Sequence, residues 1–386
     1  MTVDMRRVAI ASCAICTFLN LYSTQSVLPF IAAELGIGAA RASLVVTAGT
    51  LAVALTAPFT GAVSDRLGRK RIIVAAMTLL MLPTLMLAFS NSLSELVFWR
   101  FLQGLLLPPI FAVTVAYIGD EWPKREAAAV IGIYSATSAI GGFLGRFIPG
   151  LLNDHFGWRG GFVAIALANL VCVAVTLWLL PREKNFVRAT SLAASLRQML
   201  SHLGNGRLVA TFAVGFGVMF NFMATFTFIS FHLAAPPFSR SAFFLGSIFV
   251  VYLAGSALAP FTGRFVQVFG RRRFVLGTLG LWAAGLFLTL TASIPLIVAG
   301  LLVASTCGIL IQATSTGYVA VSAPAGTSAA VGLYVLFFYS GGTVGGWLPG
   351  IAYDLAGWPA SLAMVFAMLS LMALIVALFW REPPGR

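Results

Sequence analysis

The chain has 386 residues, 60% of them hydrophobic and only 9% charged. About a quarter of a soluble domain is charged, so this composition excludes a water-soluble body and requires a surface that faces lipid. The 24 Lys and Arg outnumber the 11 Asp and Glu, for a net charge of +13. These cations lie in short loops between apolar runs, which argues against nucleic-acid binding and for a topology signal in contact with anionic lipid.

Taken in order, the apolar runs predict spanning helices over 8–33, 41–65, 71–90, 94–119, 124–153 and 160–181. A second set follows over 206–234, 241–269, 272–292, 294–320, 325–355 and 359–380. Each reaches the ~20 residues needed to cross the hydrocarbon layer. The first run follows a basic start, Met1 to Arg7, but is too long for the apolar core of a signal peptide and is read as a retained span. Loop charge sets the orientation. Nineteen of the 24 cations fall on one side of this scheme, and Arg41, Arg100, Arg146, Arg159 and Arg240 are the remainder. By the positive-inside rule the rich side is cytoplasmic. Both termini are then inside, in a bacterial-type inner membrane, and the number of spans is even.

The organisation predicted is a first six-helix bundle over 1–181, a cytoplasmic linker over 182–205 and a second bundle over 206–386. Leu192 to Leu203 within the linker is an amphipathic candidate, suited to lying at the membrane interface. The halves repeat: Gly132, Tyr134, Gly141, Gly142, Gly145, Pro149, Gly150, Asp154, Gly157 and Trp158 each have an identical partner 200 residues later. An even repeat with both termini inside makes the bundles parallel, related by an axis along the membrane normal.

Four cysteines, Cys13, Cys16, Cys172 and Cys307, lie inside apolar runs, and His155, His202 and His232 share no ligand spacing. No metal, cofactor or nucleophile–base set is readable, and no phosphate-binding loop is present. The expectation is a non-enzymatic protein driven by an ion gradient or a substrate gradient.

The densest charge cluster of the first half is Gly61-Ala62-Val63-Ser64-Asp65-Arg66-Leu67-Gly68-Arg69-Lys70-Arg71. A weaker copy starts at Gly263 and runs through Gly270 and Arg271 to Arg273, with Gln267 where the first has Asp65. The pattern resembles the loop 2–3 signature of the major facilitator superfamily. That resemblance implies an all-α membrane protein of twelve transmembrane helices in two pseudo-symmetric bundles. It also implies a latch between conformational states built from Gly61, Asp65, Arg66, Gly68, Arg69, Gly263, Gly270 and Arg271. From the residues themselves, Gly61 suits a close backbone approach, and Asp65 suits pairing with a helix N-terminus or an Arg.

Arg100-Phe101-Leu102-Gln103-Gly104 resembles the fourth-helix signature of the same family, where the Arg is linked to proton coupling. Arg100 lies roughly 9 Å inside its span at 1.5 Å per residue, and a charge at that depth is a functional candidate. Gly141-Gly142-Phe143-Leu144-Gly145-Arg146 partly resembles the Gly-rich fifth helix of the drug/proton antiporter branch. There small residues, matched here by Gly341, Gly342 and Gly345, let helices 5 and 8 pack closely. Arg146 lies at a depth similar to Arg100, so the two suggest a shared anionic partner. No carboxylate is placed mid-membrane; Glu34, at an outer margin, is the nearest, within possible reach of Arg41 or Arg100. This leans away from cationic substrates.

The resemblance makes helices 1, 4, 7 and 10 the cavity walls, and thereby Tyr22, Gln25, Arg100, Gln103, Asn221 and Gln312 the substrate candidates; an interhelical hydrogen bond explains each equally well. The functional expectation is a monomeric secondary transporter. It would export a drug or metabolite by alternating access in exchange for protons, with the small-molecule substrate, protons and membrane lipids as its partners. An organic anion or sugar uniporter or importer on the same fold is the alternative.

Overall fold

The computed structural model describes residues 4–184, 199–323 and 327–380, and their regular elements are all helical. In chain order these are α1 (Met5–Leu21), α2 (Leu28–Leu35), α3 (Ala39–Leu67), α4 (Arg69–Phe89), α5 (Leu93–Leu106), α6 (Pro108–Glu121) and α7 (Lys124–Leu179). They continue as α8 (Gly206–Ala234), α9 (Ala242–Ser247), α10 (Val251–Leu258), α11 (Thr262–Phe269), α12 (Arg271–Phe287), α13 (Ile294–Ser322) and α14 (Thr327–Phe379). Among the described residues nine helical stretches are long and apolar enough to cross a membrane. Two of these, α7 and α14, are each two helices joined at a break. With the interrupted stretch α1–α2, they complete the twelve helices read from sequence. Leu79, Leu82, Leu167 and Val171 are exposed, as side chains facing lipid tails must be.

The breaks have local causes. Gly157 in α7 and Gly357 in α14 have φ of 65° and 71°, a region that only glycine enters cheaply. They are repeat partners, each followed by a buried Trp, at 158 and 358. Gly68 and Gly270, with φ of 95° and 75°, make the same turn between α3 and α4 and between α11 and α12. Pro108 cannot donate to the preceding turn, so α5 gives way to α6 at Leu107.

By contacts the chain forms two compact units. The first comprises Met1–Ile37, Leu44–Leu192 and Leu233–Phe249, the second Gly38–Ser43, Ala193–His232 and Val250–Arg386. In the first, the repeated glycines bring helices into backbone contact. A methyl carbon built on Gly141 falls 2.8 Å from Ile15 Cα, and one on Gly145 falls 2.9 Å from Leu19 Cα. These glycines therefore face α1, not span 8. Contact with span 8 comes one turn later, where Gly150 meets the backbone of Ala242 and Gly246.

In the second unit Gly341 stands in the same way against Phe216, and Gly345 against Phe220, both on α8. Gly142 and Gly342 instead face side chains, those of Tyr22 and Met219. The Asp354 carboxylate accepts from the N–H groups of Ala39 (2.9 Å) and Ala40 (3.1 Å) and so caps the start of α3. Leu192 to Gln198 of the predicted amphipathic segment lie outside the described residues.

Candidate functional site

The predicted intramembrane residues of the first unit gather around the break in the first span. α1 ends at Leu21, residues 22–27 form turns, and α2 starts with Pro29 near its N-terminus. A break leaves carbonyls without intrahelical donors, which is costly away from water. Arg100, on α5 and 1% exposed, supplies them. Its Nη1 donates to Asn20 O (2.9 Å), its Nη2 to Leu21 O (2.8 Å), and its Nε to Val45 O of α3 (3.2 Å). Nη1 also donates to Gln103 Oε1. The planar fork of the guanidinium suits several oxygens in different directions. At Arg100 the anionic partner expected from sequence is replaced by carbonyl dipoles at the negative end of α1.

From the other side Arg146 of α7 meets the same break. Its Nε donates to Gln25 Oε1 at 2.7 Å and its Nη1 to Gly142 O at 2.8 Å. The guanidinium lies over the rings of Tyr22 (3.8 Å) and Phe249 (4.6 Å), a favourable placement for a desolvated cation. Ser26 Oγ donates to Arg146 O at 2.6 Å. Tyr22 and Gln25, predicted for the cavity, are thus held by Arg146.

Below the break lies a buried polar hub centred on Asn20. Its Oδ1 accepts from Thr84 Oγ1 (2.8 Å), Gln103 Nε2 (2.9 Å) and Asn169 Nδ2 (3.1 Å). Its Nδ2 donates to Cys16 O and Asn169 Oδ1, both at 2.7 Å. Gln103 is therefore spent on interhelical bonds. The position 201 residues on is Asn221, and there the hub is missing: Gly285 and Ala304 stand where that offset puts Thr84 and Gln103, and Leu369 stands 200 residues after Asn169. Asn221 is fully buried, its Nδ2 donates to Met372 Sδ at 3.4 Å, and its Oδ1 has no donor among the described residues. The structure thus turns Asn221 toward the second half of α14. Gln312 on α13 is half-buried.

Swapping each asparagine for leucine should separate the two. Asn20→Leu leaves the Gln103 and Asn169 amide donors without their acceptor, while the Thr84 hydroxyl keeps Leu80 O, and should cost about 2–4 kcal/mol, whereas Asn221→Leu removes one orphaned acceptor and should be neutral or stabilising. Thermal unfolding in detergent measures both.

At the loop signature Arg69 is the centre. Its Nη1 lies 2.5 Å from Asp65 Oδ1 and its Nε 3.0 Å from Asp120 Oδ2, and Nη1 also donates to Ser64 Oγ at 2.6 Å. Glu183 accepts from the N–H groups of Arg69 (2.9 Å) and Lys70 (3.3 Å), capping α4. Neither Asp120 nor Glu183 was singled out from sequence. Arg66 is exposed. Arg271 lies 4.3 Å over the Tyr318 ring. A methyl group at Gly61 or Gly263 would meet nothing within 4 Å, so the close approach predicted for Gly61 is absent. Glu34 is likewise corrected: it pairs with Arg159 (2.5 Å) and accepts from Trp158 Nε1 (2.7 Å), not from Arg41 or Arg100.

The family model described as Major Facilitator Superfamily matches residues 10–255 and 211–386. The chain belongs to this superfamily. An uncharacterized transporter of Buchnera aphidicola subsp. Schizaphis graminum is 28% identical over 363 residues, 94% of this chain and 88% of the relative. The inner membrane transport protein YnfM of Escherichia coli K12 is 30% identical over 378 residues, 97% and 90% of the two chains. The crystal structure of the nucleoside transporter NupG, as its D323A mutant, aligns with a TM-score of 0.78 at 13% identity, over 97% of this chain and 100% of that one. This major facilitator member is therefore an integral membrane transporter with the twelve-helix fold.

In this transporter the loop cap is separately testable. Glu183→Gln keeps an acceptor at the start of α4 but removes its charge. Stability should fall by about 0.5–1 kcal/mol, and the difference should shrink at high salt. Thermal unfolding at low and high salt measures it.

Proposed function

We propose that this transporter exports a small neutral or anionic organic molecule by alternating access in exchange for protons. It works as a monomer in a bacterial-type inner membrane with both termini cytoplasmic. The observation that carries the reading is the broken first span held between two buried arginines, Arg100 and Arg146. An interrupted span is tolerated only where it is buried in protein or lines a cavity, and such breaks sit at the binding sites of many secondary transporters. The buried cations disfavour a positively charged substrate. Proton exchange rests on the resemblance carried by Arg100, Gln103 and Gly104, and export on that of the Gly-rich run from Gly141 to Arg146. The latch role of the 61–71 loop rests on its signature and is supported by the Asp65–Arg69–Asp120 cluster.

The test is flux in liposomes of purified protein, with a panel of neutral and anionic compounds, with and without an imposed pH gradient. Gradient-dependent substrate movement is expected; identical flux in both conditions removes proton coupling. The same buried cations also suit an organic anion or sugar uniporter or importer. Flux that follows an inward substrate gradient and ignores pH would select that reading.

A further inference from the structure

Beside the loop signature the first unit has a cavity of about 620 Å³. Its walls come from the end of α3, the first turns of α4, the end of α7 and the residues just after it. Four cations line it: Arg66, Lys70, Arg71 and Arg182. Glu183 lines it too, but its carboxylate oxygens accept from the backbone of Arg69 and Lys70. Among the described residues none of the four cations forms an ion pair. Lys70 Nζ donates to Leu177 O at 3.0 Å, which keeps the ammonium at the cavity wall.

The rest of the lining is apolar, from Leu67, Val74 and Leu177. Leu67 and Leu177 are 57% and 48% exposed, and their neighbour Trp178 is 81% exposed. The apolar wall therefore continues onto surface that faces lipid tails. A soluble anion would use the cations and leave this wall uncovered. A lipid with a charged head and an acyl chain uses both.

We propose that this cavity binds an anionic phospholipid, its headgroup phosphate among Arg66, Lys70, Arg71 and Arg182 and an acyl chain along Val74 and Leu177. The site depends neither on the transported substrate nor on the driving ion proposed above. It lies against the turn that carries Gly68 and Arg69, so occupancy would bear on the loop signature directly.

The test is native mass spectrometry of the delipidated full-length protein, titrated with phosphatidylglycerol and with phosphatidylcholine of the same acyl chains. Preferential retention of phosphatidylglycerol is expected. Arg71→Gln with Arg182→Gln should weaken it roughly thirtyfold, from the attraction of two cations near an anionic headgroup. Arg272→Gln with Arg273→Gln removes equal charge from the second loop and should leave retention unchanged. Inorganic phosphate should neither bind nor compete. Equal retention of both lipids, equal weakening by the two double variants, or binding of phosphate as tight as that of the lipid would each overturn the proposal. Should the first double variant fail to fold, Val74→Trp fills the apolar wall and must give the same selective loss.

Discussion

Arg100→Leu is expected to abolish transport and to lower the stability of the folded protein by about 2–4 kcal/mol. The loss is large because the guanidinium serves three carbonyl oxygens on two elements, Asn20 and Leu21 at the end of α1 and Val45 in α3. Leucine fills much of the volume but takes the donor from Leu21 O and from Gln103 Oε1, while Asn20 O keeps Ser23 Oγ at 2.9 Å and Val45 O keeps its place inside α3. Arg100→Lys should rescue little, since one ammonium on a flexible stem cannot reach three directions in a plane. Thermal unfolding in detergent together with liposome flux gives both readouts. A variant with unchanged unfolding temperature would show that the carbonyls find other donors.

The second large effect is expected at the repeated glycines. Gly145→Val should fail to yield a monodisperse folded protein, and Gly345→Val should behave alike. A methyl carbon at 145 falls 2.9 Å from Leu19 Cα, and one at 345 falls 2.7 Å from the Phe220 carbonyl carbon. Backbone cannot rotate aside as a side chain can, so the helices must separate along their length. Overpacking of this kind costs about 1–3 kcal/mol even where side chains can yield, and small residues drive association inside membranes. Gly263→Val is the control: nothing lies within 4 Å of a carbon built there, and size-exclusion profiles should match the parent.

Much of the fold was legible because apolar length and the repeat act over many residues at once. The ends of the apolar runs at 153 and 355 place both breaks, and the repeated Gly157-Trp158 and Gly357-Trp358 lie at them. The interruption of the first span was not legible: residues 22–27 contain no glycine, and Pro29 alone hints at it. Arg100 and Arg146 were legible as buried charges, since arginine stands out in an apolar run. Their partners were not. Arg100 uses backbone carbonyls, which every residue has and no sequence distinguishes.

Glu34 illustrates a different failure. Proximity in the predicted topology suggested Arg41 or Arg100, but the turn at Gly157 delivers Trp158 and Arg159 to it. Glu183 reaches the start of α4 from 114 residues away, a separation that no local pattern reveals. Asn20 and Asn221 look equivalent in sequence and differ only through what surrounds them.

The interrupted first span also bears on how the chain is made. α1 and α2 make one crossing only together, across the turn at residues 22–27, and the Leu21 carbonyl at that turn takes its donor from Arg100 of α5. A ribosome delivers that arginine some 80 residues after Asn20. The turn after α1 therefore gains its arginine donor only once the fourth crossing is in place.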